Sequence, residues 1–246
     1  EVPFSEHGRI RSREACLKSS SMAVELANRE NAKLHVLHIT TEEELKLFEA
    51  GNSRITAEAC VHHLWFEDQS YSTLGSLIKC NPAIKMASDR DAIRQAVKDG
   101  RISVLATDHA PHTLEEKQGT YFNAPSGLPL IQHTLLLMLE MCEQNCFSPE
   151  LIVERACHAP ARLFQVRERG YLREGYWADL VVVDPAEKTQ VKDSPLFSKC
   201  GWSPFSHLTF TNSIETTIVS GQIAYHQGEL KMDCRGQRAE FSKERK

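Results

Sequence analysis

Helical and strand patterns alternate through the first two thirds of the chain, and this alternation constrains the fold more than any other feature. Three apolar runs, at residues 34–39, 55–66 and 102–106, have the length and composition of buried strands. Helical patterns flank each of them: one starts after the predicted cap Ser12, a second after the predicted cap Thr41, a third runs from Ser88 to Gly100, and a strongly apolar one covers residues 128–143. Such alternation predicts a parallel sheet with right-handed crossovers.

The number of strands leaves two architectures open. Three parallel strands cannot close a barrel, which needs eight. The chain is then either a small open α/β module, complete at this length, or the C-terminal part of a barrel whose other strands precede Glu1. The chain starts in mid-pattern at Glu1 rather than at Met, so we expect a fragment of something longer.

After residue 168 the pattern changes. Strand-like runs at 180–185, 208–210 and 216–225 follow one another without helical patterns between them, which predicts an all-β portion over residues 169–234. Residues 235–246 are polar and charged and predict a frayed tail.

Composition excludes several function classes. The net charge of −4 and the lack of a basic stripe argue against nucleic-acid binding. No apolar stretch approaches the ~20 residues of a membrane span. The eight cysteines form no Cys-x-x-Cys pair, so we expect buried, reduced thiols in a cytoplasmic protein rather than disulfides or thiolate metal sites.

The apolar run at 102–106 ends in Thr-Asp-His-Ala-Pro-His, which places Asp108 at the tip of a strand. His38 ends the first run, and Asn81 lies in the loop after the second. Carboxyl ends of parallel strands share one edge of a sheet, where an Asp and a His suit a divalent metal such as zinc. Asp108 could also take a proton from metal-bound water and return it to a leaving amide nitrogen. These residues predict a metal-dependent hydrolytic site, and the alternative is a strand end with a polar, solvated turn.

The remaining histidines have simpler interpretations. His35 lies on the other face of its strand from His38 and is predicted to be structural. His62 and His63 are expected on opposite faces of the second strand, where both cannot easily bind one metal, and they are predicted to be structural or to support a ligand. His133 is predicted to pack inside a helix, and His7 to face solvent. The long loop at 113–126 is a candidate lid, because loops of this length are often functional.

Four sequence blocks carry a resemblance to a known family. Residues 34–38, 56–64, 81–85 and 106–112 resemble, in order and spacing, those of dihydroorotases in the amidohydrolase superfamily. Residues 175–184 resemble the segment by which these enzymes re-enter a small β-sandwich. The Asp-His-Ala-Pro-His block is the most specific of these matches.

The resemblance implies a fold and a reaction. The fold is a (β/α)₈ barrel of the TIM type with a β-sandwich, of which this chain would contain strands six to eight over residues 1–168 and part of the sandwich over 169–234. The reaction is the reversible zinc-dependent hydrolysis of L-dihydroorotate to N-carbamoyl-L-aspartate in pyrimidine biosynthesis. The implied partner is this small molecule, with neither nucleic acid nor membrane, and a homodimer is left open.

The resemblance also implies roles for individual residues. His38 becomes a zinc ligand at the end of the sixth strand, and Asp108 becomes a metal ligand and the general acid/base at the end of the eighth. Asn81 and His112 would contact the substrate ring or its carboxylate. The segment of Gly127 and Leu128 would supply backbone contacts, which completes the predicted substrate residues.

The chain departs from the family pattern in its missing ligands. The His-x-His pair, the bridging carboxylated Lys or Asp, the fifth-strand His and the substrate-binding Arg of the family have no counterpart here. Two ligands do not hold a catalytic zinc, so the chain alone is expected to be inactive and poor in metal. The alternatives are an allantoinase or dihydropyrimidinase-type amidohydrolase, or an inactive dihydroorotase-like scaffold subunit.

Overall fold

The structure, a computed structural model, describes residues 1–242, so residues 243–246 of the predicted tail lie outside the described residues. The α-helices are α1 His7–Ile10, α2 Arg13–Arg29, α3 Val61–Trp65, α4 Tyr71–Leu74, α5 Ala87–Asp99, α6 Leu114–Lys117, α7 Thr134–Glu143, α8 Pro149–Val153 and α9 Ala159–Leu163. The strands are β1 Leu34–Val36, β2 Ile55–Cys60, β3 Val104–Ala106, β4 Leu180–Asp184, β5 Thr189–Gln190, β6 Thr209–Phe210, β7 Ser213–Val219, β8 Gln222–His226 and β9 Glu229–Leu230.

The chain divides into two compact units. The first contains Glu1–Thr134 and Leu196–His207, and the second contains Leu135–Pro195 and the described part of Leu208–Lys246. These limits do not coincide with the predicted domain boundaries at residues 168 and 234, which stay a prediction. Within residues 1–242, no helix combines the length and the apolar character needed to cross a membrane.

The first unit is built on a three-stranded parallel sheet in the order β1-β2-β3. Leu34 pairs with Ile55, and Cys60 pairs with Ala106. Every residue of the central strand β2 is buried, as expected for a parallel strand that is covered on both faces. The predicted parallel arrangement of the three strands is confirmed.

The predicted strand at 55–66 is wrong in its second half. Strand β2 stops at Cys60, and helix α3 begins at Val61, with the Phe66 N–H donating to the carbonyl of His62 (2.9 Å). Four consecutive residues of α3 are buried. A short apolar run does not distinguish a strand from a buried helix, which is why the sequence misled here.

The helix ends follow the capping signals in part. The Ser12 side chain accepts the N–H of Ala15 (3.2 Å) and caps α2 as predicted. Gly100 ends α5 with φ +90°, a left-handed conformation that favours glycine. Ser88 does not cap α5, because the helix begins at Ala87 and Met86 precedes it.

Two predicted helices are shorter than expected. The pattern after Thr41 yields only a 3₁₀ turn at Glu44–Leu47. The pattern at 128–143 becomes helical at Thr134, after a 3₁₀ turn at Ile131–His133.

Two buried lysines hold the loop that follows β3. Lys117 is 0 % exposed, and its ammonium donates to the carbonyls of Lys79 (3.2 Å), Pro125 (2.9 Å) and Gly127 (2.9 Å). The ammonium of Lys79 donates to the carbonyl of Tyr121 (2.6 Å) and to that of Ala124. Backbone bonded in this way to buried charges does not support the lid interpretation of residues 113–126.

The second unit contains the predicted β region. Strands β4, β7, β8 and β9 form an antiparallel sheet in the order β4-β7-β8-β9, and β5 pairs with β6. Ser220 (φ +51°) and Gly221 (φ +83°) form the tight turn between β7 and β8, since hairpin turns of this type require positive φ at both central residues.

A buried carboxylate ties helix α2 to helix α5. Asp89 is 1 % exposed and accepts the Glu42 N–H (3.0 Å). The Arg13 guanidinium bonds to Asp89 and also to Glu43. The pair joins segments that are distant in sequence, so its loss should be felt by the whole first unit.

We expect Asp89→Asn to lower the free energy of unfolding by about 3 kcal/mol, because it removes one partner of a buried ion pair. The exposed neighbour Asp91, which faces Arg90 at the surface, provides the control. Asp91→Asn should cost less than about 1 kcal/mol. Urea unfolding of the two variants measures both, and equal losses would contradict the buried-pair argument.

Candidate active site

Two predicted site residues, His38 and Asp108, lie at the carboxyl edge of the parallel sheet. Each stands two residues beyond its strand, after Val36 of β1 and after Ala106 of β3. Both adopt left-handed backbone conformations, with φ +41° for His38 and +49° for Asp108. Such conformations are uncommon outside glycine, although Asp and His adopt them more readily than most residues, and they recur at functional sites. The sheet therefore brings a His and an Asp to one edge, in the same backbone geometry.

The charges of this edge interact. Desolvation raises the pKa of Asp108, the positive form of His38 opposes that rise, and the carboxylate of Glu58 adds to it. His35 in turn lies 3.0 Å from the Glu58 carboxylate and 2.8 Å from the Thr56 hydroxyl, in agreement with its predicted structural role. A carboxyl group whose pKa is raised accepts and returns protons more readily than an ordinary aspartate.

His112 and Gly127 lie against each other. A Cβ placed on Gly127 would lie 3.0 Å from His112 Cδ2 and 2.5 Å from the carbonyl oxygen of Ala110. The Ala110 N–H donates to the Leu128 carbonyl (3.0 Å), and the Trp202 indole donates to the His112 carbonyl (2.7 Å). The predicted substrate residues His112, Gly127 and Leu128 thus belong to one packed group.

Both backbone polar groups of Gly127 are already used within the chain. Its N–H donates to the Lys79 carbonyl (2.9 Å), and its carbonyl accepts from Lys117. The predicted backbone contact of Gly127 to a substrate therefore has no free group in this conformation. The glycine instead permits the close approach of its backbone to Ala110.

Asn81 lies two residues after Lys79, whose carbonyl accepts the Gly127 N–H. Its side chain is exposed and makes no hydrogen bond to another described residue, and its bond to Pro82 is cis. Its neighbour Lys79 contacts Gly127, and its neighbour Cys80 interacts electrostatically with Asp108. Asn81 is therefore close in sequence to both groups of site residues, but no contact within residues 1–242 joins its side chain to them.

His109 has a role that the sequence did not indicate. Its Nδ1 accepts the backbone N–H groups of Leu130 (2.9 Å) and Ile131 (3.2 Å), and a parallel bridge joins its backbone to Leu128. His109 thus fixes the segment that contains the predicted substrate residues. Only its position beside Asp108 could have pointed to it.

Four other histidines of the described residues are buried, and three of them depart from their predicted positions. The prediction that His7 faces solvent is wrong: it is 1 % exposed and lies 2.8 Å from the Tyr121 hydroxyl and 2.7 Å from the Cys80 carbonyl. His62 and His63 are not on opposite faces of a strand but adjacent in helix α3, with ring centroids 3.9 Å apart.

The packing predicted for His133 is confirmed. It is 2 % exposed, and its Nδ1 lies 3.2 Å from the Ser203 hydroxyl.

Comparison with known proteins identifies the family. The model of the Amidohydrolase family matches residues 16–224. The chain belongs to the amidohydrolase family. The match covers the parallel sheet and most of the β region, which places both parts of the chain within this family.

Amidohydrolases similar in sequence include three curated dihydroorotases. The chain is 35% identical to that of Halobacterium salinarum over 195 residues, which is 79% of the chain and 46% of the relative. It is 32% identical to that of Methanothermobacter thermautotrophicus over 80% of the chain and 45% of the relative. It is 35% identical to that of Clostridium acetobutylicum over 81% of the chain and 48% of the relative. The chain spans about half the length of these relatives.

Solved amidohydrolase structures match the fold. The L-hydantoinase (dihydropyrimidinase) from Arthrobacter aurescens superposes with a TM-score of 0.81 at 24% identity, over 87% of this chain and 49% of that one. A D-hydantoinase superposes with a TM-score of 0.84 at 19% identity, over 93% and 52%. At this identity the likeness concerns the fold alone, which is the mixed α/β fold of amidohydrolases.

We expect Gly127→Ala to lower the free energy of unfolding by at least about 2 kcal/mol more than Gly51→Ala does. Both positions have positive φ, but a Cβ at Gly51 meets no atom within 4 Å. Their difference therefore isolates the clash with Ala110, which costs as overpacking does. Thermal and urea unfolding of the two variants provide the measurement, and equal losses would contradict the close approach.

Because His7 is buried, we expect the free energy of unfolding to depend on pH below about 6.5. Burial lowers the pKa of His7 to about 4 from an ordinary value of 6.5. The unfolded chain therefore binds the proton first, so the stabilisation is complete above pH 6.5 and is lost as the pH falls towards 4. Between these values the wild type should lose about 3 kcal/mol more than His7→Gln does. The exposed His207, changed to Gln, is the control and should leave the pH dependence unaltered.

Proposed function

We propose that the chain is part of a dihydroorotase, which catalyses the reversible hydrolysis of L-dihydroorotate to N-carbamoyl-L-aspartate in pyrimidine biosynthesis. The observation that carries the proposal is the pairing of His38 and Asp108 at one sheet edge, where Asp108 begins the Asp-His-Ala-Pro-His block that resembles this family. Identity of 30–35% to curated dihydroorotases supports it.

In this proposal, β1, β2 and β3 are strands six, seven and eight of a (β/α)₈ barrel. Their parallel order and the edge position of His38 and Asp108 agree with the rule that barrel enzymes place catalytic residues at the carboxyl ends of strands. Residues 169–234 would contribute to the β-sandwich. The likeness to hydantoinases over about half of their length supports this assignment.

The donor atoms at this edge fit zinc in type but not in number. An imidazole nitrogen of His38 and a carboxylate oxygen of Asp108 are both common zinc ligands, and a catalytic zinc takes three protein ligands and a water. At least one further ligand is therefore needed beyond these two. When bound, zinc would lower the pKa of a water and polarise the amide carbonyl.

Asp108 supplies the proton transfer. Its raised pKa lets an Oδ atom take a proton from the attacking water and give it to the amide nitrogen as the ring opens. In the reverse direction the same oxygen takes the proton from the carbamoyl nitrogen. Partial desolvation is the largest cause of the raised pKa of Asp108.

The substrate would lie between this pair and the packed group of His112, Gly127 and Leu128. The imidazole of His112, whose side chain is 32% exposed, is available to the carboxylate of dihydroorotate, and Asn81 offers an exposed amide to the ring. Gly127 shapes the site by close approach, since its own N–H and carbonyl are engaged.

Two other functions remain as alternatives. A hydantoinase or dihydropyrimidinase-type activity is favoured by the solved structures of similar fold, and allantoin belongs to the same class of cyclic amides. An inactive scaffold subunit would keep the fold and lose the metal. We also propose a cytoplasmic location, supported by eight free cysteines, and leave a homodimer open.

Turnover of L-dihydroorotate, allantoin and dihydrouracil by the protein at its natural length tests the function. We expect dihydroorotate to be preferred, and Asp108→Asn to lower kcat by about 10²–10⁴-fold, because proton transfer is lost. Asp99→Asn, at the exposed end of α5, should leave kcat unchanged. Preference for dihydrouracil would favour the dihydropyrimidinase alternative, and zinc-free, inactive protein would favour the scaffold.

A further inference from the structure

Three buried donor groups meet next to the sheet edge. One nitrogen from each of His62 and His63 and the sulfur of Cys80 all lie within 4.8 Å of one another. None of these three residues is more than 3 % exposed. The donors come from helix α3 and from the segment that precedes Asn81, so they belong to different elements of the first unit.

The spacing of one pair already suits a shared ion. His63 Nε2 and Cys80 Sγ are 3.7 Å apart. Metal–nitrogen bonds of about 2.0–2.1 Å and metal–sulfur bonds of about 2.3 Å place the two donors roughly 3.6–3.8 Å apart at tetrahedral or trigonal angles. The His62 ring lies beside that of His63, with ring centroids 3.9 Å apart, and offers the third donor atom within 4.8 Å of the other two.

His62 supplies an independent observation. Neither its Nδ1 nor its Nε2 has a hydrogen-bond partner among the described residues, and the same holds for His63 Nδ1. Buried polar atoms are normally paired, and leaving one unpaired costs about 1–3 kcal/mol. A fully buried histidine with both nitrogens unpaired is unfavourable in a protein core, but this arrangement is expected of a histidine that binds a metal ion.

The surrounding charges select the ion. Burial raises the pKa of Cys80 to about 12, the carboxylate of Asp108 adds to that rise, and the ammonium groups of Lys85 and Lys117 oppose it. A metal ion must therefore displace the thiol proton. The two positive charges repel a divalent ion more strongly than a monovalent one. A thiolate with two imidazoles suits a soft d¹⁰ ion.

We propose that His62, His63 and Cys80 form a buried site for one thiophilic metal ion, Cu⁺ in preference to Zn²⁺. On binding, the Cys80 S–H bond breaks and a metal–sulfur bond forms, and the proton passes to solvent. In the free protein this S–H and the His63 Nε2–H both donate to the Pro82 carbonyl (3.2 and 3.0 Å). Binding through His63 Nε2 therefore also moves the imidazole proton to Nδ1, which has no hydrogen-bond partner among the described residues. The donors are different from His38 and Asp108, so the site does not depend on the proposed reaction.

The site is tested on the full chain with the metals themselves. The protein is loaded anaerobically with Cu⁺ or Zn²⁺ in competition with a chelator, desalted, and its metal content is measured. X-ray absorption at each metal edge then counts the ligands. We expect one Cu⁺ per chain with one sulfur and two nitrogen neighbours, and weaker uptake of Zn²⁺ at the same donors.

Three variants make the result specific. Cys80→Ser should remove the sulfur neighbour and weaken binding by at least about 100-fold, since even outer ligand partners contribute 10–100-fold. Cys157→Ser, which changes an exposed thiol, should leave it unaltered. The double variant His38→Ala, Asp108→Asn should also keep the sulfur-bound ion, which separates this site from the proposed zinc site.

The proposal is overturned if wild-type protein binds no ion with a sulfur neighbour, a result that needs no variant to fold. It is also overturned if Cys80→Ser, shown to be folded by circular dichroism, takes up Cu⁺ as the wild type does. Tighter binding of Zn²⁺ than of Cu⁺ at these donors would overturn the choice of ion.

Discussion

The buried ammonium of Lys117 is the interaction on which the candidate site depends. A positive charge without a carboxylate partner is costly in a protein interior, and burial lowers the pKa of Lys117 to about 8. Three carbonyl dipoles, from Lys79, Pro125 and Gly127, offset that cost. Because these carbonyls belong to two segments, the bonds hold residues 125–127 against Lys79. This placement also holds Gly127 against His112.

The parallel sheet supplies the other half of the site. Because β1 and β3 flank β2 and run in the same direction, their carboxyl ends meet at one edge. His38 and Asp108 both turn away from their strands through left-handed backbone, and their charges interact there. Thus the proposed catalytic pair depends on strand order, whereas the proposed substrate group of His112, Gly127 and Leu128 depends on lysine–carbonyl bonds, and different changes would damage each.

Sequence reasoning predicted what local patterns encode. The strand runs of the sheet, the Ser12 cap and the end of α5 at Gly100 each rest on residues within a few positions of one another. The burial of Lys117 was not predictable in this way. In Leu-Glu-Glu-Lys it resembles the exposed end of a short helix, and its three carbonyl partners lie 8, 10 and 38 residues away in sequence.

The cluster of His62, His63 and Cys80 was not predicted for the same reason: its members are brought together by the fold rather than by a local pattern. A spacing rule for cysteines looks for ligands that are close in sequence, whereas Cys80 meets His63 from 17 residues away. Their meeting depends on β2 ending at Cys60, so that His62 and His63 turn together in a helix. The stretch from Lys79 to Pro82 makes contacts in two directions. The Lys79 carbonyl accepts the Gly127 N–H, while Cys80 Sγ and the Pro82 carbonyl lie against His63 Nε2. Asn81, between them, is exposed. A displacement of Cys80 would therefore reach the proposed substrate group through one peptide unit, which makes this stretch the physical link between the cluster and the candidate active site.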